Sequence, residues 1–296
     1  METKKRWKRI LIITASIVGG LIGVAILLGV LNAVVADGAW NFGWNDYRYD
    51  ETGYEIGNAT LPYDGITEIE IDWIDGLVVV EACDDAYISI TEQAAEELHE
   101  SVQVRWRVSE DGKKLTVKYR KSSYYFSLGS DNRQKELTLR IPRSLMEQME
   151  RIDLTANSTN VMVKNVRADQ LDLETVSGNL IAEGCEMKSV SAETVSGAVI
   201  YNGVLHDAFE VDSTSGSVLL IGDVCPKRVD IETVSAEVKL TFPAEASMTL
   251  DWETTSGKMS SDIALTKSGD VYVAGTGASD VSVETVSGSL KITEKE

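Results

Sequence analysis

The pentapeptide ETVSG stands at residues 174–178, 193–197 and 284–288, with ETVSA at 232–236, ETTSG at 253–257 and DSTSG at 212–216. A phrase that recurs at a period of about 20 residues constrains a chain strongly, because such repeats build stacks in which each unit completes its neighbour. Aligned on the serine of the phrase, the anchors are Ser158, Ser177, Ser196, Ser215, Ser235, Ser256 and Ser287, with steps of 19, 19, 19, 20, 21 and 31. A weaker copy, EIEIDWIDGLVVVE, is anchored on Asp75.

The columns around the anchor are apolar at alternate positions. Six before it stand Ile69, Ile152, Leu171, Val190, Phe209, Val229, Leu250 and Val281, and four before it Ile71, Leu154, Leu173, Ala192, Val211, Ile231, Trp252 and Val283. Three after it stand Val78, Val161, Leu180, Val199, Val218, Val238, Met259 and Leu290, and five after it Val80, Val163, Ala182, Tyr201, Leu220, Leu240, Ser261 and Ile292. A period of two is a strand with one buried face. Each repeat therefore reads as strand, tight Ser-Gly bend, strand and corner. The predicted fold is an all-β repeat β-solenoid, a single-stranded β-helix or β-roll with rungs of about 19–21 residues. Eight such rungs in one column would extend roughly 38 Å.

The bend explains the phrase. Gly178, Gly197, Gly216, Gly257 and Gly288 stand where the chain turns sharply, which glycine tolerates best. Ala236 in the same place implies that one bend manages without a positive φ. Alternation points Thr175, Thr194 and Thr233 inward together with the anchors Ser177, Ser196 and Ser235. Stacked hydroxyls there are expected to bond to each other and to neighbouring backbone. Cys83, Cys185 and Cys225 form no C-x-x-C pair and fall at rung corners, which predicts three buried free thiols.

Residues 84–149 break the period. AYISIT, VQVRWRV, LTVKYR and ELTLRIP read as antiparallel strands, with a hairpin at EDGKK. An insert of this kind can cap an otherwise open sheet edge. A second hairpin is expected around Lys267-Ser268-Gly269-Asp270, inside the 31-residue step, and Tyr124-Tyr125-Phe126 stands in a loop of residues 122–134.

The other end of the chain has a different character. Residues 10–36 contain no charge, follow Lys4, Lys5, Arg6, Lys8 and Arg9, and precede Asp37. That is the length and flank of one N-terminal transmembrane helix, with residues 1–9 cytoplasmic and the rest extracytoplasmic. The competing reading is a signal peptide cleaved after Val34-Val35-Ala36, but a signal's apolar region runs only about 7–15 residues. Ala15, Gly19 and Gly23 have a small-x-x-x-small spacing that would let two such helices meet in a homo-oligomer, although glycine is common in membrane helices. The expected organisation is a basic tail (1–9), a membrane helix (10–36), an aromatic juxtamembrane linker (37–60), a first rung with an antiparallel cap (61–149) and the solenoid repeats (150–296).

Tandem ETVSG-type rungs behind an antiparallel strand section resemble a bacterial adhesin-type family of unknown function, similar to the head-GIN surface β-solenoid domains. The resemblance covers about residues 60–296. It implies surface location and frequent membrane anchoring, and it supplies no catalytic residues. An anchor before such a domain looks most like Gram-positive proteins, some of whose relatives accompany envelope-stress regulators.

Charge narrows the chemistry. The chain carries a net −19, and outside residues 1–9 it has 23 basic against 46 acidic side chains, a balance that repels phosphate backbones and disfavours nucleic acid. Three before the anchor runs an acidic column: Glu174, Glu193, Asp212, Glu232, Glu253 and Glu284. Like charges about 4.8 Å apart repel by roughly 0.9 kcal/mol in water. The column is therefore expected to face solvent, with Glu174, Glu193, Asp212 and Glu232 as weak candidates for bridging by calcium or wall cations. No cofactor and no catalytic residue is indicated. His99 and His206 are the only histidines, there is no G-x-S-x-G, and identical carboxylates in every rung are not an acid–base pair. The function that follows is a non-catalytic, membrane-anchored interaction module, an adhesin or an envelope-stress sensor, whose partner is an envelope protein or a cell-surface ligand. The alternative is a carbohydrate-active β-helix enzyme, which a polar cleft with one non-repeating cluster of Asp, Glu, Arg and Lys would favour.

Overall fold

The computed structural model describes residues 47–62, 65–122 and 135–295. The apolar segment 10–36 and the Tyr124–Phe126 stretch lie outside the described residues. Among those described, no helix is long and apolar enough to cross a membrane.

The β-solenoid is present. The half-strands before each bend stack in one parallel ladder and those after it in a second, and both apolar faces turn into the core between them. Pairing is in register: Leu171 opposes Val190 and Ile152, Val190 opposes Phe209, and Phe209 opposes Val229. Leu180 meets Val161 and Val199 in the second ladder. Of the four apolar columns, only Trp252, Met259 and Ser261 fall short of full burial. All three belong to the Ser256 rung, which lies at one end of the stack.

The rungs do not stack in chain order. Strand Arg228–Thr233 pairs with Ser279–Thr285, which in turn pairs with Met248–Thr254. Glu237–Phe242 pairs with Ser289–Glu294, and that strand with Met259–Ser261. The last repeat of the sequence thus lies between the two that precede it. The predicted hairpin forms as Thr266–Ser268 with Val271–Ala274, and its second strand lies antiparallel on Met248–Thr254, closing that edge.

The opposite end is richer than a plain antiparallel cap. The antiparallel pairs are present, Arg105–Val108 with Lys114–Lys118 and Ile88–Gln93 with Lys135–Pro142. But Lys114–Lys118 and Lys135–Pro142 also lie parallel to Glu68–Cys83, one on each half. Together they make a further rung whose two halves are separated in sequence by residues 119–134. Lys135 opposes Gly76 there and is buried against Glu92 at 2.5 Å, with its ammonium 3.8 Å from the Tyr119 ring centroid and 4.9 Å from that of Trp73. Burial, only partly offset by Glu92, lowers its pKa to about 8. Part of the expected linker also belongs to the body. Tyr47 donates to the Asp72 carbonyl at 3.3 Å, Tyr49 donates to the Arg120 carbonyl at 2.7 Å, and Glu55–Ile56 and Ala59–Leu61 are edge strands.

The bends come in two forms. At Gly178, Gly197 and Gly216 φ is +130°, +144° and +138°. A Cβ on Gly197 would lie 1.9 Å from the Gly178 carbonyl oxygen, so both the conformation and the rung spacing demand glycine. At Gly257 and Gly288 φ is not positive, and Ala236 occupies the same form, as a bend that does not need a positive φ allows. There a threonine hydroxyl holds the bend, accepting from the Gly257 amide (Thr254, 2.7 Å), the Gly288 amide (Thr285, 2.8 Å) and the Ala236 amide (Thr233, 3.2 Å).

Two expectations are corrected, the direction of the anchor serines and the burial of all three cysteines. Thr175, Thr194 and Thr233 are buried, but Ser177 is half-buried and Ser196 and Ser235 are exposed, because the chain has begun to turn and alternation no longer sets direction. The expected bonding along the stack is present in part: Thr175 donates to the Asn157 carbonyl of the neighbouring rung, Ser177 to the Ser158 hydroxyl and Ser235 to the Thr214 carbonyl, whereas the Thr194 and Ser213 hydroxyls are buried without a partner. Of the cysteines, all free, only Cys185 is buried; Cys83 and Cys225 are half-buried where the corners loosen.

Gly197→Ala is expected to cost about 3 kcal/mol or more in urea denaturation, against about 1 kcal/mol for Gly269→Ala, where a Cβ meets nothing. Thr285→Val should cost about 1–3 kcal/mol by orphaning the Gly288 amide, while Thr194→Val should be neutral or stabilising. Equal losses at the two threonines would contradict this assignment.

Candidate functional site

The outer face of the first ladder carries two carboxylate columns. In spatial order the outermost holds Glu174, Glu193, Asp212, Glu232, Glu284 and Glu253, each in register with the next. Two residues earlier on the same strands stand Glu70, Asp153, Asp172, Ser191, Glu210, Asp230, Ser282 and Asp251, again in register.

The first column is not freely solvated, as the sequence had suggested. Asp212 is exposed, but Glu174, Glu193, Glu232 and Glu284 are half-buried by their neighbours. None of these five forms an ion pair with a described residue, and one Glu174 oxygen is buried without a hydrogen bond. Desolvation, then the Glu193 and Asp153 charges, pushes the Glu174 pKa up to about 7. Desolvation, then Glu232 and Glu253, does the same to Glu284. Glu193, Asp212 and Glu232 are raised for the same reasons. Among the described residues no His, Cys, Asp and Glu side chains converge as a metal site requires.

The face changes where the solenoid meets the split rung. An open groove of about 420 Å³ is lined there by Glu70, Asp72, Lys118, Arg151, Asp153, Asp172, Glu174 and Glu193, among others. A smaller one of about 250 Å³ adjoins it, sharing Glu70 and Lys118 and adding Tyr49, Tyr54, Arg107 and Lys114. Lys118 lies 2.9 Å from Glu70 and 3.4 Å from Asp72, Lys114 lies 2.5 Å from Glu70, and Arg151 lies 2.8 Å from Asp172. Burial alone would lower the Lys118 pKa, but the Asp72 and Glu70 charges outweigh it and raise it. Glu70 resists its own desolvation because two ammonium groups hold it, and its pKa falls. Asp72, deeper and farther from Lys118, is raised by desolvation. The acidic column was legible in the repeat. Glu70, Asp72, Lys118 and Arg151 were not, since Lys118 arrives from the non-repeating segment.

Against this geometry, the comparisons with known proteins place the chain. Residues 66–293 match the Toastrack DUF4097 family. The chain belongs to the Toastrack DUF4097 family. No curated protein matches it. Among solved structures it is similar to a candidate cell adhesion protein of Clostridium sporogenes, with 9% identity and TM-score 0.43 over 82% of this chain and 100% of that one. A candidate adhesin of Parabacteroides distasonis gives 12% identity and TM-score 0.43 over 82% and 98%. A candidate lipid binding protein of the same organism gives 16% and TM-score 0.40 over 83% and 98%. At these scores the likenesses carry no function across.

The raised carboxylates set a pH dependence. The folded pKa of Glu174 and Glu284, about 7, lies above the unfolded value of about 4.3. Their contribution to stability is therefore fully present below pH 4.3 or so and is lost as pH rises through about 7. Glu174→Gln and Glu284→Gln should each lessen the fall in melting temperature between pH 5 and pH 8. A fall identical to that of the parent protein would contradict the shift.

Proposed function

We propose that this Toastrack protein is a membrane-anchored, extracytoplasmic, non-catalytic interaction module whose acidic face receives a cationic partner at the cell envelope. One observation carries the reading: from Glu174 to Glu284 the carboxylates, most of them half-buried and none ion-paired with a described residue, continue rung after rung instead of converging on a point. An extended column of one sign is a binding surface for an extended partner, such as a basic stretch of an envelope protein or an amine-bearing wall polymer. A cation laid along the column relieves repulsion already built into the fold, so binding is expected to be salt-sensitive and to strengthen as Glu174 and Glu284 ionise. Apolar residues 10–36 after a basic tail support anchoring, with the repeats outside the cell.

In-cell crosslinking of the full-length protein, with mass spectrometry of captured species, tests this. Capture of a specific basic partner is expected, and Glu193→Lys with Glu232→Lys should abolish it at unchanged melting temperature. Identical capture by the double variant would remove the acidic face from the reading.

The groove favours a second reading, a carbohydrate-active enzyme. Glu70 is held low by lysines while Glu174 in the same lining rises to about 7, and such divergent carboxylates can serve as base and acid. Hydrolysis of wall glycan that is lost in a folded Glu174→Gln variant would establish it in place of the first.

A further inference from the structure

The outer face of the second ladder is the opposite of the first. Val79, Met162, Ile181, Ile200 and Leu219 stand in register on successive rungs and point away from the core, between inward neighbours such as Leu180 and Ala182. Met162, Ile181, Ile200 and Leu219 are half-buried, Val79 at the end of the ribbon is buried, and Leu77 and Ile221 widen the ribbon on its two end rungs. Nothing in the solenoid requires apolar residues there. The same column continues as Lys239 and Lys291 on the next two rungs and as Thr138 and Thr91 on the two rungs at the other end. Lys239, Lys291 and Glu136 have no ion-pair partner among the described residues.

We propose that this ribbon is the contact between two copies of the chain, packed sheet to sheet about a twofold axis that runs along the strands through Ile181. A flat aliphatic strip on a twisted sheet is well covered by another sheet about 10 Å away, crossing at about 30°. A twofold interface must also be complementary to itself. Two face-to-face arrangements keep ribbon on ribbon. An axis along the solenoid would set Lys239 against Lys239 and Lys291 against Lys291. An axis along the strands reverses the rung order instead. Ile181 then meets its own copy, Met162 meets Ile200, and Val79 meets Leu219. Lys239 falls opposite Thr138, within reach of the unpaired Glu136 two residues before it on strand Lys135–Pro142. Charge therefore selects the second arrangement. It also leaves the acidic face outward on both copies.

The contact is small. Seven rungs of five-residue strands cover about 30 Å by 17 Å, roughly 500 Å² per copy, against about 800 Å² for a standard interface. That area fits a dimer that dissociates readily in dilute solution and persists where chains are concentrated in one membrane. Only this last point rests on the anchored reading above.

The test uses full-length protein in detergent, with Cys83→Ser and Cys225→Ser removing the half-buried native thiols. A short bis-maleimide should link Ile181→Cys to itself. Ile200→Cys alone should link poorly, yet link well when mixed with Met162→Cys. Ile200→Lys in the Ile181→Cys protein should abolish the product while the melting temperature holds. Lys239→Glu should weaken linking about tenfold and Glu136→Lys should restore it. Sedimentation of the unmodified protein should move from one chain to two as concentration rises. A single-chain mass up to about 0.1 mM would overturn the proposal. So would linking of Ile181→Cys no stronger than that of Ser191→Cys on the opposite face, or equal self-linking at Ile181 and Ile200. Loss of partner capture by the acidic-face variant bears on the other surface only, so the two readings fail separately.

Discussion

Backbone hydrogen bonding between parallel rungs in register is what the rest of this molecule depends on. A single rung has an apolar face and nothing to bury it against. Pairing Leu171 with Val190, Val190 with Phe209 and Phe209 with Val229 places like beside like, so the inner surface becomes continuous core. The same register makes the outer surfaces repetitive. Whatever residue type a column carries is multiplied along the stack, favourable or not. The acidic columns are the unfavourable case: carboxylates crowd their own kind and shed some of their charge.

The register also dictates chemistry at the bends. Where φ is near +140°, the Gly197 backbone approaches Gly178 too closely for any side chain. Where it is not, a threonine hydroxyl takes over the work of fixing the turn. The exchange occurs between the Ser215 and Ser235 rungs, next to the place where the chain stops stacking in order. The two ends of the stack are managed differently. A short hairpin covers one edge, while antiparallel strands and a split rung cover the other, where Lys135 opposes Gly76 and is buried against Glu92.

Much of this was legible because a period of two inside a period near 20 leaves few alternatives. The four apolar columns, the EDGKK hairpin, the hairpin at Lys267–Asp270 and the glycine bends all follow from local pattern. The misreadings have local causes too. Ser177, Ser196 and Ser235 turn away from the core because alternation fails inside a bend. Gly288 closes the same phrase as Gly197, and Gly257 a near copy, but both adopt another backbone, since the phrase specifies a turn and its neighbours specify which one. Lys114–Lys118 and Lys135–Pro142 were read as antiparallel strands, and they are; that each has a parallel partner as well is a long-range fact no local pattern carries. The groove was hidden for the same reason, because Lys118 and Arg151 meet only after the split rung has docked. The aliphatic ribbon stands four residues after the anchors Asp75, Ser158, Ser177, Ser196 and Ser215, between the two inward columns and on the opposite face of the same strand.

The order of the stack has a consequence for how the protein comes into being. Strands Ser279–Thr285 and Ser289–Glu294 are synthesised after Met248–Thr254 and Met259–Ser261, yet they sit between those strands and the rung made before them. The Ser235 and Ser256 rungs cannot pair with each other and then admit a latecomer without first parting. The earlier rungs can zip up as they emerge, but the Ser235 and Ser256 rungs must wait as an open jaw until residues 279–294 arrive. Those residues are thus a keystone, and their loss would leave a gap inside the wall rather than a shorter wall.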